Sequence, residues 1–361
     1  MDFSQRPMLV YWELTRACDL ACRHCRAEAV SWRHPRELST LEGYALLEGL
    51  KAFGQPLPHL VLTGGDPLKR PDLYDLVACA RHLGFTVSIT PSGTSSLTRE
   101  VIWRLKEAGV WILALSIDGS TPKRHDALRG VEGSFAKTVQ AAHWAKEAGL
   151  PLQVNTLVSA ETLGDLPSIY TLVSALGVVQ WSLFFLIPIG RGRVLREISP
   201  QQSEEVMHWV YDTARVSPYR IKTTEAPHYR RVALQRAAED KRNGRSLPVA
   251  AQAERGFGVR DGSGIMFISH IGEVYPSGFL PLAAGDVRRD DPVAIYRCAA
   301  LFQALRDPHR LKGKCGRCEY RKVCGGSRAR AFAITGDPLE SDPLCPYEPS
   351  PHPGLVLQEA V

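Results

Sequence analysis

Thr15-Arg16-Ala17-Cys18-Asp19-Leu20-Ala21-Cys22-Arg23-His24-Cys25 sets three cysteines within eight residues. Thiolate is the soft ligand that iron-sulfur clusters select, and three thiolates on one short loop can hold three irons of a 4Fe-4S cube. The fourth iron is then left open, and an open metal position is where a site does chemistry rather than architecture. The alternative is a structural zinc loop, but such sites usually supply two close pairs of ligands separated by a wide gap. The preceding run, Met8-Leu9-Val10-Tyr11-Trp12-Glu13, reads as a first strand that delivers the loop at its C-terminal end.

Outward from this loop, strands and helices alternate. Ser39 with Glu42 three residues on is a capping-box pattern announcing a helix over 41–53, and Leu60-Val61-Leu62 is the next strand. A helix over 71–83 closed by Gly84, a strand over 85–90, a helix over 99–108 and a strand over 111–117 follow. A helix after Gly133, strands over 152–158 and 178–187, a helix over 165–176 and one after Ser199-Pro200 complete six strand-helix units. This alternation implies right-handed crossovers and a parallel sheet with ligands at the C-terminal ends of its strands. The expected fold class is α/β, an open partial (β/α)6 barrel.

Functional residues should then lie just after strands. Gly64-Gly65-Asp66-Pro67 follows the second strand, where consecutive glycines let the backbone approach a ligand and exposed carbonyls can accept from an ammonium group. Ser92-Gly93-Thr94 follows the third, and Ser116-Ile117-Asp118-Gly119 ends the fourth, with His125-Asp126-Ala127-Leu128-Arg129-Gly130 beyond it. An arginine fork such as Arg129 suits a carboxylate. Asn155 falls late in the fifth strand, and Ile187-Pro188-Ile189-Gly190-Arg191 leaves the sixth. Taken singly, each could be a turn glycine or a solvated side chain.

The chain has 361 residues, enough for a barrel of ~250 residues and something smaller after it. With 44% hydrophobic and 23% charged residues, nothing argues for disorder. The formal charge of +6 fits a slightly basic solvated surface, and no dense basic tract with interleaved aromatics suggests nucleic-acid binding. The first residues carry no basic segment leading into an apolar run, and no stretch approaches the ~20 apolar residues of a membrane span. A cytoplasmic protein with no membrane partner is expected. Nine cysteines then read as metal ligands or free thiols before they read as disulfides.

From 216 to 260 the alternation loosens. A helix over 229–243 leads through Gly244-Arg245-Ser246-Leu247-Pro248 to Gly262-Ser263-Gly264, which reads as a linker. Ile265-Met266-Phe267-Ile268-Ser269 and Glu273-Val274-Tyr275 flank Ile271-Gly272 as a hairpin, and a helix over 292–306 precedes Cys315-Gly316-Arg317-Cys318, Cys324 and Cys345. Spacing alone leaves zinc and iron-sulfur equally open for this second group. The expected organisation is a barrel over 1–215, a helical linker over 216–262, a small cluster domain over 263–348 and a tail over 349–361.

The order of three intervening residues and then two, just after a first strand, resembles the radical S-adenosylmethionine (SAM) superfamily, although the position before the third cysteine, often aromatic there, is His24. The resemblance implies that the SAM amino and carboxylate groups bind the open iron of a 4Fe-4S cluster. One electron then cleaves SAM to methionine and a 5′-deoxyadenosyl radical, with a low-potential donor such as flavodoxin or ferredoxin as partner. It assigns Gly64, Gly65 and Asp66 to the SAM amino group, with Asp66 where the family usually has Glu. Ser92 falls with polar contacts to the ribose, Ser116 and Arg129 with the ribose and carboxylate, and Pro188 in the stretch that holds the adenine; Asn155 joins them as a cofactor contact.

The hairpin and second cysteine group resemble the SPASM/twitch auxiliary-cluster domain, which implies an auxiliary 4Fe-4S cluster on Cys315, Cys318, Cys324 and Cys345. Ser277 and Ser327 stand where close relatives carry further cysteines, and Cys79 and Cys298 lie apart, so one auxiliary cluster is expected rather than two.

Trp12-Glu13-Leu14-Thr15-Arg16, His24-Cys25-Arg26-Ala27-Glu28-Ala29, Ala226-Pro227-His228-Tyr229 and Phe267-Ile268-Ser269-His270 are similar to phrases in the radical SAM proteins of haem metabolism. That resemblance implies hydrogen abstraction from a tetrapyrrole side chain, with oxidative modification or decarboxylation following. Arg191, Arg193, Lys222, His228, Tyr229, Arg230 and Arg231 are then candidate contacts to propionates. The rival class is maturation of a ribosomal peptide, weakened because only seven residues precede the first strand, leaving no room for a recognition domain of ~80 residues. A non-catalytic iron-sulfur carrier would not need the strand-end contacts.

Overall fold

A computed structural model describes residues 2–244 and 256–350; residues 245–255 of the expected linker and 351–361 of the expected tail lie outside the described residues. Seven strands run parallel in chain order: β1 (Leu9–Glu13), β2 (His59–Thr63), β3 (Val87–Ile89), β4 (Ile112–Ser116), β5 (Leu152–Val158), β6 (Gln180–Phe185) and β7 (Arg220–Thr224). Helices α1 (Thr40–Lys51), α2 (Leu73–His82), α3 (Arg99–Glu107), α4 (Pro122–Arg129), α5 (Ser134–Glu147), α6 (Leu166–Leu176), α7 (Pro200–Val216) and α8 (Tyr229–Arg242) cover it. The Ser39 capping box forms: its hydroxyl accepts from the Glu42 N–H at 3.3 Å, and the Glu42 carboxylate accepts from the Ser39 N–H at 2.7 Å.

Strands buried on both faces need apolar residues at every position, as parallel sheets covered by helices do. Val10 and Trp12 of β1, Leu60 and Leu62 of β2, and Trp181 and Leu183 of β6 are fully buried in one continuous core with Leu46, Leu47 and Leu50 of α1. The α/β partial barrel expected from the alternation is present. It has one more strand than the six read from sequence, because Arg220-Ile221-Lys222-Thr223-Thr224 lacks an apolar run and buries only Ile221 fully. An edge strand with one half-solvated face has no need of one. Helix α4 was also absent from the expected alternation; Thr121 caps it and Gly130, at φ 70°, ends it.

The C-terminal hairpin enters the same sheet. β8 (Ile265–Ile268) lies parallel to β1 on the side opposite β2, with Leu9 beside Ile265 and Trp12 beside Ile268. β9 (Glu273–Tyr275) and β10 (Gly285–Asp286) continue it antiparallel. Helices α9 (Pro292–Cys298), α10 (Ala300–Arg306), α11 (Gly313–Arg317) and α12 (Arg328–Thr335) follow. All nine cysteines are free thiols. Among the described residues no helix is long and apolar enough to cross a membrane.

Candidate functional site

The cysteine loop is gripped by the loops that leave β2, β4 and β6. The Gly65 and Asp66 N–H groups donate to the carbonyls of Thr15 and Ala17, each at 2.7 Å; Arg23 N–H donates to Leu128 O at 2.9 Å, and Arg191 N–H to Cys25 O at 3.1 Å. The glycines serve this grip: a Cβ on Gly64 would come within 2.5 Å of the Thr15 carbonyl oxygen, and one on Gly65 within 2.5 Å of that of Ala17. Their side-chain faces are thus spent on the cysteine loop. The sulfurs themselves accept hydrogen bonds, Cys18 Sγ from Leu20 N–H at 3.3 Å, Cys25 Sγ from Ala29 N–H at 3.4 Å and Cys22 Sγ from Arg129 at 3.7 Å. N–H donors to sulfur are one of the levers by which proteins tune iron-sulfur clusters.

The three cysteines open into a cavity of about 270 Å³ at the C-terminal ends of the strands. Gly64, Gly65, Ser92, Ser116, Arg129 and Asn155 also line it. Asp66 sits behind that wall, 0% exposed, accepting from Leu68 N–H at 3.1 Å and from Ser92 N–H and the Thr94 hydroxyl, both at 3.4 Å. Burial lifts its pKa to about 6. Pro188 stands next to Ile187, which lines an adjoining cavity of about 120 Å³ shared with Ser116, Arg129, Asn155 and Phe184.

Arg129 ends α4 and pairs with the buried Asp118 at 2.5 Å. Burial alone would raise the Asp118 pKa, but Arg129, the two neighbouring histidines and the Leu157 N–H together outweigh it and hold the carboxyl below its usual value. His24, 3.8 Å from the same carboxylate, is pushed down to about 4 by burial and is neutral at pH 7. The buried Arg129 Nε, His24 Nδ1, Arg191 Nε and Arg191 Nη2 have no hydrogen-bond partner among the described residues. Unpaired buried donors are costly, and a bound anionic or polar group would satisfy them. This donor set fits a ligand with a carboxylate.

The opposite wall is aromatic: Tyr11, Phe184, Phe267 and Phe279 line the cavity with Arg26. The Arg26 guanidinium lies 4.5 Å over the Phe267 ring and pairs with Glu13 at 3.1 Å, and Glu13 also meets His270 Nδ1 at 2.8 Å. Of the seven basic and aromatic side chains singled out from sequence as propionate contacts, Arg191 lines this cavity. Arg193 is exposed, Lys222 is half-buried on β7, and His228 and Tyr229 are buried in the interior, His228 against the Ser203 hydroxyl at 2.8 Å. Arg230 donates to the Val323 carbonyl, and Arg231 pairs with Glu204. The phrase His24–Ala29 was noted from sequence without a role for Arg26, whose stacking depends on Phe267, a residue distant in sequence and carried on β8.

Cys315, Cys318, Cys324 and Cys345 line a second, much smaller cavity of about 30 Å³. Cys315 Sγ accepts from Asp342 N–H at 3.4 Å and from Arg328 at 3.8 Å, and Cys324 Sγ from Gly326 N–H at 3.4 Å. Arg328 is 0% exposed, and its other donors meet the carbonyls of Gly326, Pro338 and Glu340. Burial pushes the Cys318 thiol up to about 12 and raises Cys324 and Cys345 as well. A coordinated metal reverses that direction by stabilising thiolate. Among the described residues no three or more His, Cys, Asp or Glu converge as ligands of a single ion; the cysteines surround cavities instead.

An open α/β barrel with a three-cysteine loop at the mouth of its first strand is the arrangement of the radical SAM superfamily, and that family's model matches residues 12–173. The chain is 40% identical to an AdoMet-dependent heme synthase of Methanosarcina barkeri (strain Fusaro / DSM 804) over 345 residues, 95% of this chain and 97% of that protein. It is 40% identical to an AdoMet-dependent heme synthase of Oleidesulfovibrio alaskensis over 358 residues, 98% of this chain and 90% of that one. The solved structure of Streptococcus suis SuiB bound to S-adenosylmethionine superposes with a TM-score of 0.72 at 16% identity, covering 95% of this chain and 78% of SuiB, a likeness of fold. The chain belongs to the radical SAM superfamily, in the branch of the AdoMet-dependent heme synthases. It is an enzyme, and its family implies a 4Fe-4S cluster and SAM.

Proposed function

We propose that this enzyme acts on a carboxylate-bearing side chain of a tetrapyrrole, modifying it oxidatively or removing its carboxylate. One observation carries the reading: a single cavity joins the three-cysteine loop to a wall of Tyr11, Phe184, Phe267 and Phe279 with Arg26 and Arg191 at hand. A tetrapyrrole is a large apolar disc edged with carboxylates, and its pocket needs aromatic faces and arginine forks. The names of the relatives with 40% identity point the same way.

In this reading Cys18, Cys22 and Cys25 hold the SAM-binding cluster. Gly64, Gly65, Ser92, Ser116, Arg129 and Asn155 contact SAM, Asp66 fixes the Gly64-Gly65 turn from behind, and Pro188 borders the adenine. Arg129, kept charged and oriented by Asp118, has a free Nε to offer a carboxylate. When bound, the cluster and SAM supply a 5′-deoxyadenosyl radical able to abstract hydrogen from the substrate. The chain's own work is to exclude water with its aromatic wall and to hold the reacting side chain beside the radical's source.

Cys315, Cys318, Cys324 and Cys345 would hold an auxiliary 4Fe-4S cluster, which would supply an electron acceptor for the oxidative step. One feature supports iron-sulfur over zinc. A cube gives each thiolate its own iron, whereas zinc draws four sulfurs to about 2.3 Å from one centre, and here the thiols line a cavity rather than converge on a point. The buried guanidinium of Arg328, bonded to carbonyls and to Cys315, suits an anionic thiolate-bound group of either kind.

The test is anaerobic turnover of the reconstituted protein with SAM, a flavodoxin or ferredoxin reductant, and either iron-coproporphyrin or small peptides. We expect a visible spectral shift with the porphyrin and release of carbon dioxide or a side-chain fragment in step with 5′-deoxyadenosine. Turnover of a peptide with no spectral response to any tetrapyrrole would move the assignment to peptide maturation.

A further inference from the structure

Glu225 follows directly after β7 in a left-handed conformation, φ 57°, which costs a residue with a side chain roughly 1–3 kcal/mol. With Thr224 it forms part of the wall of the main cavity. Three elements face it there. From the start of α12, the Ser327 hydroxyl donates to Glu225 Oε2 at 2.5 Å, and Arg330, itself engaged by Glu197 and Asp342, donates to the Glu225 carbonyl at 2.8 Å. From β1, Tyr11 lies near enough for a charge on Glu225 to act on its phenol, which burial first pushes up to about 12. From the segment before β8, the Asp261 carboxyl meets that of Glu225.

Asp261 is 2% exposed. Its Oδ2 accepts from the N–H groups of Arg328 and Ala329 at 2.9 and 3.1 Å, while its buried Oδ1 has no N–H or hydroxyl donor among the described residues. Two carboxyls in contact cannot both ionise. The N-terminus of α12 and its two N–H donors favour the negative charge on Asp261, so the proton stays with Glu225. Burial, and then the Asp261 charge, push the Glu225 pKa well above the ordinary carboxyl range.

We propose that the Glu225–Asp261 pair retains one proton at neutral pH so that the cavity presents a neutral wall to an anionic ligand, which makes Glu225 a specificity-determining residue for a carboxylate-bearing substrate. This rests on the tetrapyrrole reading above and names the condition under which such a substrate enters. An ionised Glu225 would set a negative charge within a few ångströms of the ligand's own, a repulsion worth roughly tenfold or more in affinity.

The probe is iron-coproporphyrin III, titrated by visible absorbance into the full-length, cluster-loaded protein between about pH 6.5 and about pH 9, with its tetramethyl ester as the neutral counterpart. In the wild type, affinity for the free acid should fall about tenfold or more across that range while affinity for the ester stays level. Glu225→Gln should bind the acid tightly and without that pH dependence. Asp261→Asn removes the charge that adds to burial in holding the Glu225 proton, so the pH at which acid binding weakens should move down, and the Glu225→Gln/Asp261→Asn double variant should restore tight binding above that pH. A Glu225→Gln protein with the wild-type pH profile, or a double variant no tighter than Asp261→Asn, overturns the proposal. A readout free of ligand stands beside it: difference infrared spectra should show a neutral carboxyl C=O band at neutral pH that Glu225→Gln removes. Absence of that band overturns the proton assignment by itself. The band without any porphyrin binding overturns the tetrapyrrole reading and the specificity role with it.

Discussion

Around Cys18, Cys22 and Cys25 the protein leaves a cavity of about 270 Å³; around Cys315, Cys318, Cys324 and Cys345 it leaves about 30 Å³. Arg129 and Arg328, one beside each group, differ in the same sense, although Arg231 Nε and Arg321 Nε beside the second group also lack partners among the described residues. Arg129 is matched by a carboxylate, Asp118, and keeps a buried donor without a partner. Arg328 spends its donors on three carbonyls and the Cys315 sulfur. Three thiols beside a cavity of that size have room to receive a reactant, while four thiols around the smaller one have room only for what they bind. One side chain type thus serves two ends, and the surroundings decide which.

The sharpest way to break this contrast is to remove the thiols group by group. A Cys18→Ala/Cys22→Ala/Cys25→Ala variant should lose SAM cleavage entirely and keep about four of about eight irons, read by iron analysis and 5′-deoxyadenosine formation. Cys345→Ser should do the reverse, losing iron at the second group while still cleaving SAM. Wild-type iron near four per chain with zinc making up the balance would remove the second cluster from the account.

Next in size is the carboxylate-matched arginine. Arg129→Ala leaves Asp118 buried and uncompensated, so we expect a loss of about 3–5 kcal/mol in stability together with weaker SAM binding. Asp118→Asn/Arg129→Met, which removes both charges, should recover much of the stability and none of the SAM affinity, by thermal melts and equilibrium binding. Equal SAM affinity in the double variant and the wild type would mean that Arg129 is structural only.

Buried histidines sharpen the comparison through pH. His125, beside the first site, and His228, beneath the second, are both held near pKa 4, chiefly by burial. Unfolding lets them take up protons between about pH 6.5 and about pH 4, so stability must fall as pH falls through that window, by on the order of 2 kcal/mol for each histidine at about pH 5. His228→Gln should flatten part of the slope in denaturant titrations; an unchanged slope would show that His228 is not held neutral. Smallest is Arg26→Lys, which should lower porphyrin affinity a few-fold through loss of about 0.5–1 kcal/mol of stacking on Phe267 and leave SAM binding unchanged.

Much of this was legible in the sequence because it is local. The apolar strand runs, the Ser39 capping box and the position of the cysteine loop after β1 depend on neighbours a few residues away, and the strand-end residues Gly64, Ser92, Ser116 and Asn155 follow from the alternation. What escaped depends on long-range packing. β7 has the composition of a loop and becomes a strand only against β6. The paired glycines read as a ligand cradle, yet their missing side chains make room for carbonyls of the cysteine loop. Asp66 reads as a cofactor contact from its place in the turn, and its carboxylate is buried among donors from two loops. Arg26 and Glu225 gain meaning only from Phe267 and Asp261, which no periodicity ties to them.

The parallel pairing of β8 with β1 bears on how the chain can be made and cut. β1 leaves the ribosome long before β8, one of its two flanking strands, which begins only at Ile265. Until then Leu9–Glu13 has an open edge on that side, and such edges recruit other chains. Closing so distant a pairing is slow. A fragment ending near residue 260 would therefore be an open sheet prone to aggregate rather than a smaller working barrel. Expression at low temperature with the whole chain intact should matter more for soluble yield than any change at the helical surface.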